Sequence, residues 1–352
     1  LEAVQYKCPN CGGELQFKPD KQLFGCDYCL STFTEDEIKT ICSRTENSID
    51  DAEKSAREEF ETHTNIYHCG SCGAEIMCED IQTATFCYYC HEPVILSGRM
   101  SGDYKPNKVI AFKLTRDEAE KNFHEWCSGR FFLPKNFNTN KQLEKMTGLY
   151  VPFWVADCNV NANYSAIAEK HRSWTQGNYR YTEIKDFEVI RDAHIFANGV
   201  PADGESKIDD DLMEAIEPFN YTEAADFSMS YLSGFFADKY DVDKAAVFPR
   251  VKERVNQAAR SIIQESVNNY TQVHVNNENY RIMDTKWQYM LLPVWFMTYR
   301  YNGEVYSFAI NGQTGKLAGT PPLDKKKLAL VSTAIGIIAA IIILLITEVF
   351  LS

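Results

Sequence analysis

The sequence predicts an α+β protein made of two small cysteine modules joined by a helix, a mixed α+β domain with antiparallel strands, and one C-terminal membrane helix. Three observations carry this prediction. CxxC pairs occur four times near the N-terminus, strand-like and helix-like segments alternate through the middle, and a long uncharged run lies near the end.

The cysteine modules come first. Cys8 and Cys11 precede Cys26 and Cys29, and Cys69 and Cys72 precede Cys87 and Cys90 with the same internal gap. The second quartet repeats the first at a constant offset of about 61 residues. The match extends to Tyr6 and Tyr67, Gly12 and Gly73, Glu14 and Glu75, Leu15 and Ile76, and Tyr28 and Tyr89. This spacing fits two zinc ribbons, because two hairpin tips that each supply a CxxC bring four thiolates around one ion without a large core. Gly12 and Gly73 directly follow the leading pairs, where a sharp reversal favours a residue that tolerates positive φ. We therefore expect one ribbon over 1–34 and another over 64–104, each with a structural zinc. Four thiolates leave no open position for a reacting water, so neither site is hydrolytic. Four thiolates also suit iron, and the competing readings of each quartet are disulfides of an exported domain or cysteines that are merely buried apolar residues. His91 adjoins Cys90 and is read as a surface residue; Cys42, Cys78, Cys127 and Cys158 fall outside the pattern as ordinary thiols.

Between the ribbons, Thr34 to Glu37 forms a capping box, and a helix is expected to follow to about His63. Its apolar positions are sparse (Ile38, Ile41, Ile49, Ala52, Ala56, Phe60) and acidic residues dominate, so 35–63 reads as an acidic helical spacer. Docking of its weak apolar stripe on a partner is the sharper alternative.

The domain over 105–322 opens with a strand expected at Val109 to Leu114. A second capping box, Thr115 to Glu118, starts a helix with Ala119, Phe123 and Trp126 on one face and Gly129 at its end. Tyr150-Val151-Pro152-Phe153-Trp154-Val155 is echoed by Leu291-Leu292-Pro293-Val294-Trp295-Phe296, which implies two related sheets or recurring edges, each proline standing near the start of a strand. Val251 to Tyr270 has apolar residues at helical spacing. Tyr299 to Ile310 alternates around Asn302-Gly303, and Asn311-Gly312 and Thr314-Gly315 add further turns, so the domain should end in a β-meander.

From Leu328 to Thr347 about twenty residues carry no charge, enough to cross a bilayer as a helix. Lys325, Lys326 and Lys327 precede the run and Glu348 follows it, which places the N-terminal bulk in the cytoplasm by the positive-inside rule. We expect a basic flank and tail anchor over 323–352, in a single-pass protein of the cell membrane. The chain has no cationic, apolar N-terminal segment of the signal-peptide type. A reducing compartment also agrees with thiolates kept for metal.

Composition narrows the function classes. The 352 residues are 45% apolar, enough for a sizeable core, and the formal charge of -13 argues against broad adhesion to nucleic acid or anionic lipid. Asp209, Asp210 and Asp211, with Asp203 and Glu205 nearby, offer hard oxygen ligands, but their spacing matches no EF-hand and they read as a solvated loop. Gly312 to Lys316 lacks the leading glycine and trailing Ser/Thr of a phosphate loop. HExxH, GxSxG and GxGxxG are absent, and His124, His171, His194 and His274 form no evident triad. A non-enzymatic protein is expected.

Several segments carry a resemblance: the double ribbon, the run from Tyr150, Asp209-Asp-Asp-Leu-Met-Glu-Ala-Ile-Glu-Pro, Tyr231-Leu-Ser-Gly, Ala237-Asp-Lys-Tyr-Asp-Val, and Leu292-Pro-Val-Trp through Asn311-Gly-Gln-Thr-Gly-Lys. Together they resemble the YdjG family of bacterial membrane-anchored double zinc-ribbon proteins, over nearly the whole chain. Such proteins are often labelled as containing a transcription-factor-IIB-type ribbon, or as helicase PriA-like; the helicase label is set aside because a motor needs the missing nucleotide loop. The resemblance implies a membrane scaffold, similar to members that work with a second membrane protein, an SPFH-domain protein and a PspA-type protein. The expectation is an adaptor that recruits cytoplasmic partners through its ribbons and α+β domain. The competing expectation is a membrane-tethered nucleic-acid or transcription module.

Overall fold

The computed structural model describes residues 8–13, 15–18, 23–34, 37, 51–79, 87–90, 92, 94–99, 101, 104–134, 137, 146–232, 235–301 and 304–351. Three long strands dominate it. β8 (Thr147–Gln176) lies between β9 (Tyr179–Asp203) and β12 (Gln272–Tyr301), antiparallel to both. The alternation that builds this ribbon is visible along β8, where Val160, Ala162, Tyr164, Ala166 and Ala168 are buried between more exposed Asn159, Asn161, Asn163, Ser165 and Ile167. Period-two burial of this kind is what a sheet with one covered face requires.

The cover is α4 (Lys244–Glu265), which buries Val247, Phe248, Val251, Val255, Ala259 and Ile263 against the ribbon. The valine, isoleucine and phenylalanine side chains among these contribute roughly 1.5–3 kcal/mol each when fully buried. Asp243 caps the helix by accepting a hydrogen bond from the Ala246 amide at 2.8 Å. The helix begins before the Val251 start expected from sequence and passes through Pro249. It ends at Glu265, short of the expected Tyr270.

At one end the ribbon broadens: among the described residues it belongs to an eleven-stranded sheet whose main path has eight strands, β10-β7-β12-β8-β11-β5-β4-β6, with β9 and two further strands off that path. In this order β10 is Ala225–Asp226, β7 Lys108–Val109, β11 Phe236–Asp238, β5 Glu75–Glu79, β4 Thr64–His68 and β6 Ile95–Arg99. The two echoed proline segments are therefore neighbours in one sheet: Pro293 stands opposite Tyr150, and Leu291 opposite Pro152. Both strands begin well before their prolines. β7 is shorter than expected, because after Ile110 donates to Leu291 O the chain leaves the sheet and Lys113 and Leu114 donate to Gly312 O. β13 (Glu304–Asn311) and β14 (Leu317–Gly319) complete the meander, with Tyr301 opposite Glu304 and the tip 302–303 outside the described residues.

α2 (Arg116–Ser128) has the capping box in place, with the Thr115 amide donating to Glu118 Oε2 at 2.8 Å. Its Ala119, Phe123 and Cys127 pack with Trp295, Met297, Tyr299 and Phe308. The cap at Thr34 also forms, the Thr34 amide donating to Glu37 Oε2 at 2.8 Å. The expected helix from there is described as α1 over Asp51–His63; positions 38–50 lie outside the described residues. α5 (Lys325–Leu351) leaves the domain beside α2, where the Asp324 amide donates to Phe132 O and Lys327 Nζ to Leu133 O. None of its Lys325–Ile343 stretch is buried in the protein, and it is long and apolar enough to cross a membrane.

Candidate metal centres

All eight predicted ligand cysteines converge in two groups. In each, four Sγ atoms lie within 4.8 Å of one another, and among the described residues no other set of three or more His, Cys, Asp or Glu side chains does so. Cys8 and Cys29, Cys11 and Cys26, Cys69 and Cys90, and Cys72 and Cys87 are each 3.5 Å apart through sulfur. Four thiolates at the zinc distance would be separated by roughly 3.8 Å, so the groups have the size of a tetrahedral cation site.

Local backbone geometry makes the convergence. The amides of Cys8 and Cys69 donate to Gly13 O and Ala74 O, while Gly12 and Gly73 donate back to Cys8 O and Cys69 O. These turns need a left-handed residue, and Gly12 and Gly73 have φ of 76° and 74°. The trailing pair of the first group repeats the turn, Leu30 donating to Cys26 O, but here the left-handed position is a leucine at φ 59°. The corresponding His91 lies outside the described residues.

The chemistry of the donor set agrees with a cation. Hydrogen bonds from Cys11 and Cys8 hold the Cys29 thiol well below its ordinary range, and the same contact with Cys29 pushes Cys11 far above it. Burial drives Cys87 upward. Packed sulfurs share protons badly; a dication replaces them all. Both groups are therefore compatible with zinc ribbons and could hold metal ions.

Their surroundings differ. The first group joins the main core: Cys8, Cys11, Cys26, Cys29 and Phe33 pack with Cys158, Val160, Val247 and Phe248. It docks through its leading turn. Asn10 is fully buried, its carbonyl accepting from Trp287 Nε1 at 2.6 Å and its Oδ1 from Thr285 Oγ1 at 3.3 Å. Arg281 adds bonds to Thr32 O and Glu37. The second group docks through its trailing turn, where the Tyr88 and Tyr89 hydroxyls both donate to Asp238, a carboxylate 1% exposed on β11. Its leading turn faces outward, leaving Cys72 exposed; Cys90, in the trailing turn, is half-buried.

Several of the remaining sequence candidates have structural partners. Asp209 caps α3 (Asp210–Ala215) by accepting from the Leu212 amide. Arg250 bridges Asp203 and Asp210 across one wall of a cavity of about 700 Å³. Lys316 donates to Glu217 O, so the Gly312 segment is a structural turn. His171 contacts Glu169 at 2.6 Å, and His274 lies 3.9 Å from the same carboxylate. Cys127 and Cys158 are buried thiols, burial pushing Cys127 up to about 11. Cys42 lies outside the described residues.

Sequence reading missed the hairpin of β8 and β9. Its tip presents Trp174 stacked on Tyr181 at 5.8 Å, with Tyr179 exposed and Arg172 over the Trp174 ring. The available signal was the Gln176-Gly177-Asn178 turn flanked by alternating segments; Gly177 has φ 65°.

Fold and site together define an α+β protein with two four-cysteine clusters and one apolar C-terminal helix. The chain is 34% identical over 326 residues to YdjG of Bacillus subtilis strain 168, covering 93% of this chain and 92% of that protein. It belongs to the YdjG family. No family profile and no solved structure matches the chain.

Proposed function

We propose that this protein is a non-enzymatic, tail-anchored adaptor. Its bulk stands in the cytoplasm, two structural zinc ions hold Cys8, Cys11, Cys26, Cys29 and Cys69, Cys72, Cys87, Cys90, and the long ribbon carries a docking tip away from the bilayer. The tip is the observation that carries this reading. β8 has 30 residues, about 100 Å of contour at roughly 3.3 Å per residue. The apolar helix leaves near Leu133 and Trp295, at the end of β12 opposite the one paired with Glu169. Trp174, Tyr179, Tyr181, Arg172 and Arg180 at the far end are the residue types that dominate protein interfaces. The basic tip of an acidic chain favours an acidic protein surface. The family resemblance suggests SPFH-type or PspA-type proteins and a second membrane protein as candidates.

Photocrosslinking tests this. A benzoylphenylalanine at position 181 of the full chain should crosslink in intact cells to a discrete protein of that kind, and Arg172→Glu with Arg180→Glu should abolish the product. No product at 181, with products from α4 position 262 instead, would refute tip-mediated recruitment.

One observation favours a second reading. A stacked Trp174–Tyr181 pair beside two arginines is also how single-stranded nucleic acid is held. Salt-dependent binding of an oligonucleotide at low ionic strength, lost in Trp174→Ala, would establish it; the charge of -13 weighs against it.

A further inference from the structure

We propose that the two cysteine clusters differ in kind: the first is a permanent part of the core, whereas the second is an exchangeable metal site whose Cys72 is the arm that meets chelating or thiol-alkylating molecules. This rests on the metal reading above.

The local turns are nearly the same in both clusters, so the difference comes from what surrounds them. Every sulfur ligand of the first cluster is at most 5% exposed. To uncover one, the leading turn must leave Trp287, Thr285 and the α4 face together, which breaks into the main core. Lys244 of α4 also lies directly against Gly12. In the second cluster Cys69 and Cys87 are fully buried, but Cys72 is exposed and its flanking Gly70 and Ser71 are exposed too. Among the described residues, no atom other than those of the chain neighbours lies within 4 Å of where a side chain would begin on Gly70 or Gly73. Cys72 can therefore swing out without disturbing the sheet, because Tyr88 and Tyr89 hold the trailing turn to Asp238 independently.

An incoming chelator takes the place of Cys72 at the metal, and Cys72 leaves as a thiolate. A maleimide then captures that thiolate: sulfur bonds to one alkene carbon, and the other takes a proton from water. The three thiolates left behind hold the metal less well, so one equivalent follows into solution. Local opening of this kind draws on far less free energy than global unfolding.

The test uses the full-length, metal-loaded protein in non-ionic detergent. Total metal is measured first by mass spectrometry; N-ethylmaleimide labelling of each cysteine and metal release to pyridylazoresorcinol are then followed in time. The expected result is two bound equivalents, one released with the appearance of the Cys72 adduct and the other slower by roughly tenfold or more. Cys90 should be labelled after Cys72, and Cys8, Cys11, Cys26 and Cys29 last. Two equivalents leaving at one rate, or a first-cluster cysteine labelled first, would overturn the inference. Absence of bound metal would instead overturn the metal reading itself. Cys72→Ser should keep only the slow equivalent; if that variant does not fold, the wild-type labelling order alone decides.

Discussion

Replacing Asp203 by Asn should flatten the pH dependence of stability by an amount set by one buried carboxyl group. Asp203 is 2% exposed; its Oδ1 accepts from Arg250 Nη2 at 2.8 Å, and its Oδ2 faces no hydrogen-bond donor among the described residues. Burial raises its pKa from 3.8 to about 7, against the pull of Arg250 and with the help of neighbouring Asp210. The folded state then keeps a proton that the unfolded chain releases. Stability from this group is complete below about pH 4 and is lost as pH rises towards 7. A rise of about three units corresponds to about 4 kcal/mol over the whole window. Measurements between pH 5.5 and 8 avoid acid release of metal and capture about 2 kcal/mol of it. Urea unfolding of wild type and Asp203→Asn, followed by tryptophan fluorescence at several pH values, reads the difference. The variant should gain on wild type from pH 5.5 to 7 and run parallel above. Asn keeps an acceptor for Arg250 and offers Asp210 a donor, so the packing survives. Parallel profiles over the whole range would show that Asp203 ionises normally and that the Arg250 bridge outweighs burial.

Four further outcomes follow from named features of the structure. Leu30→Gly relieves a left-handed leucine at φ 59°, and should raise stability by about 1 kcal/mol in thermal unfolding of the metal-loaded protein, whereas Gly12→Ala, at φ 76° and against Lys244, should lower it by at least as much. Trp287→Phe keeps a ring but removes the donor to the Asn10 carbonyl, and should cost about 1–3 kcal/mol in urea unfolding; no loss would mean that the first cluster does not depend on that bond. A chain ending at Asp324 should move from the detergent phase to the aqueous phase in phase partitioning, and its retention would assign membrane attachment to another part of the protein.

The cysteine quartets were legible because their geometry is dictated locally: two residues between sulfurs, a reversal, and a glycine at φ near 75° suffice wherever the module sits. The capping box at Thr115, the closing meander and the apolar tail were legible for the same reason. The long hairpin was not. Along Asn159 to Ala168 the buried positions are mostly alanine and valine and the outer ones asparagine, a weak contrast that identifies a strand only once α4 covers one face. The true start of α4 was hidden by Pro249, which reads as a break although Asp243 caps the helix upstream. Nor does any local pattern announce that Asn10 meets Trp287, a partner at a sequence separation of 277.

Differences at single positions explain why two modules of one design are placed so differently. Asn10 and Ser71 occupy the same position between leading cysteines, yet only Asn10 has the reach and the paired donor and acceptor to bond Ser31 on one side and Thr285 on the other. Its neighbour Pro9 corresponds to Gly70, so the first turn is stiff and the second free. In the trailing turns the pattern reverses: Tyr89 is tied to Asp238 while its counterpart Tyr28 is 68% exposed. Each module thus docks through the turn that the other leaves in solvent. The cysteine turns tolerate this because the four converging sulfurs lie on their inner side, leaving the residues between the cysteines free to decide which side of the module faces the protein. One module is part of the core and the other keeps a sulfur at the surface, and the proposed difference in metal exchange rests on that asymmetry between almost identical sets of cysteines.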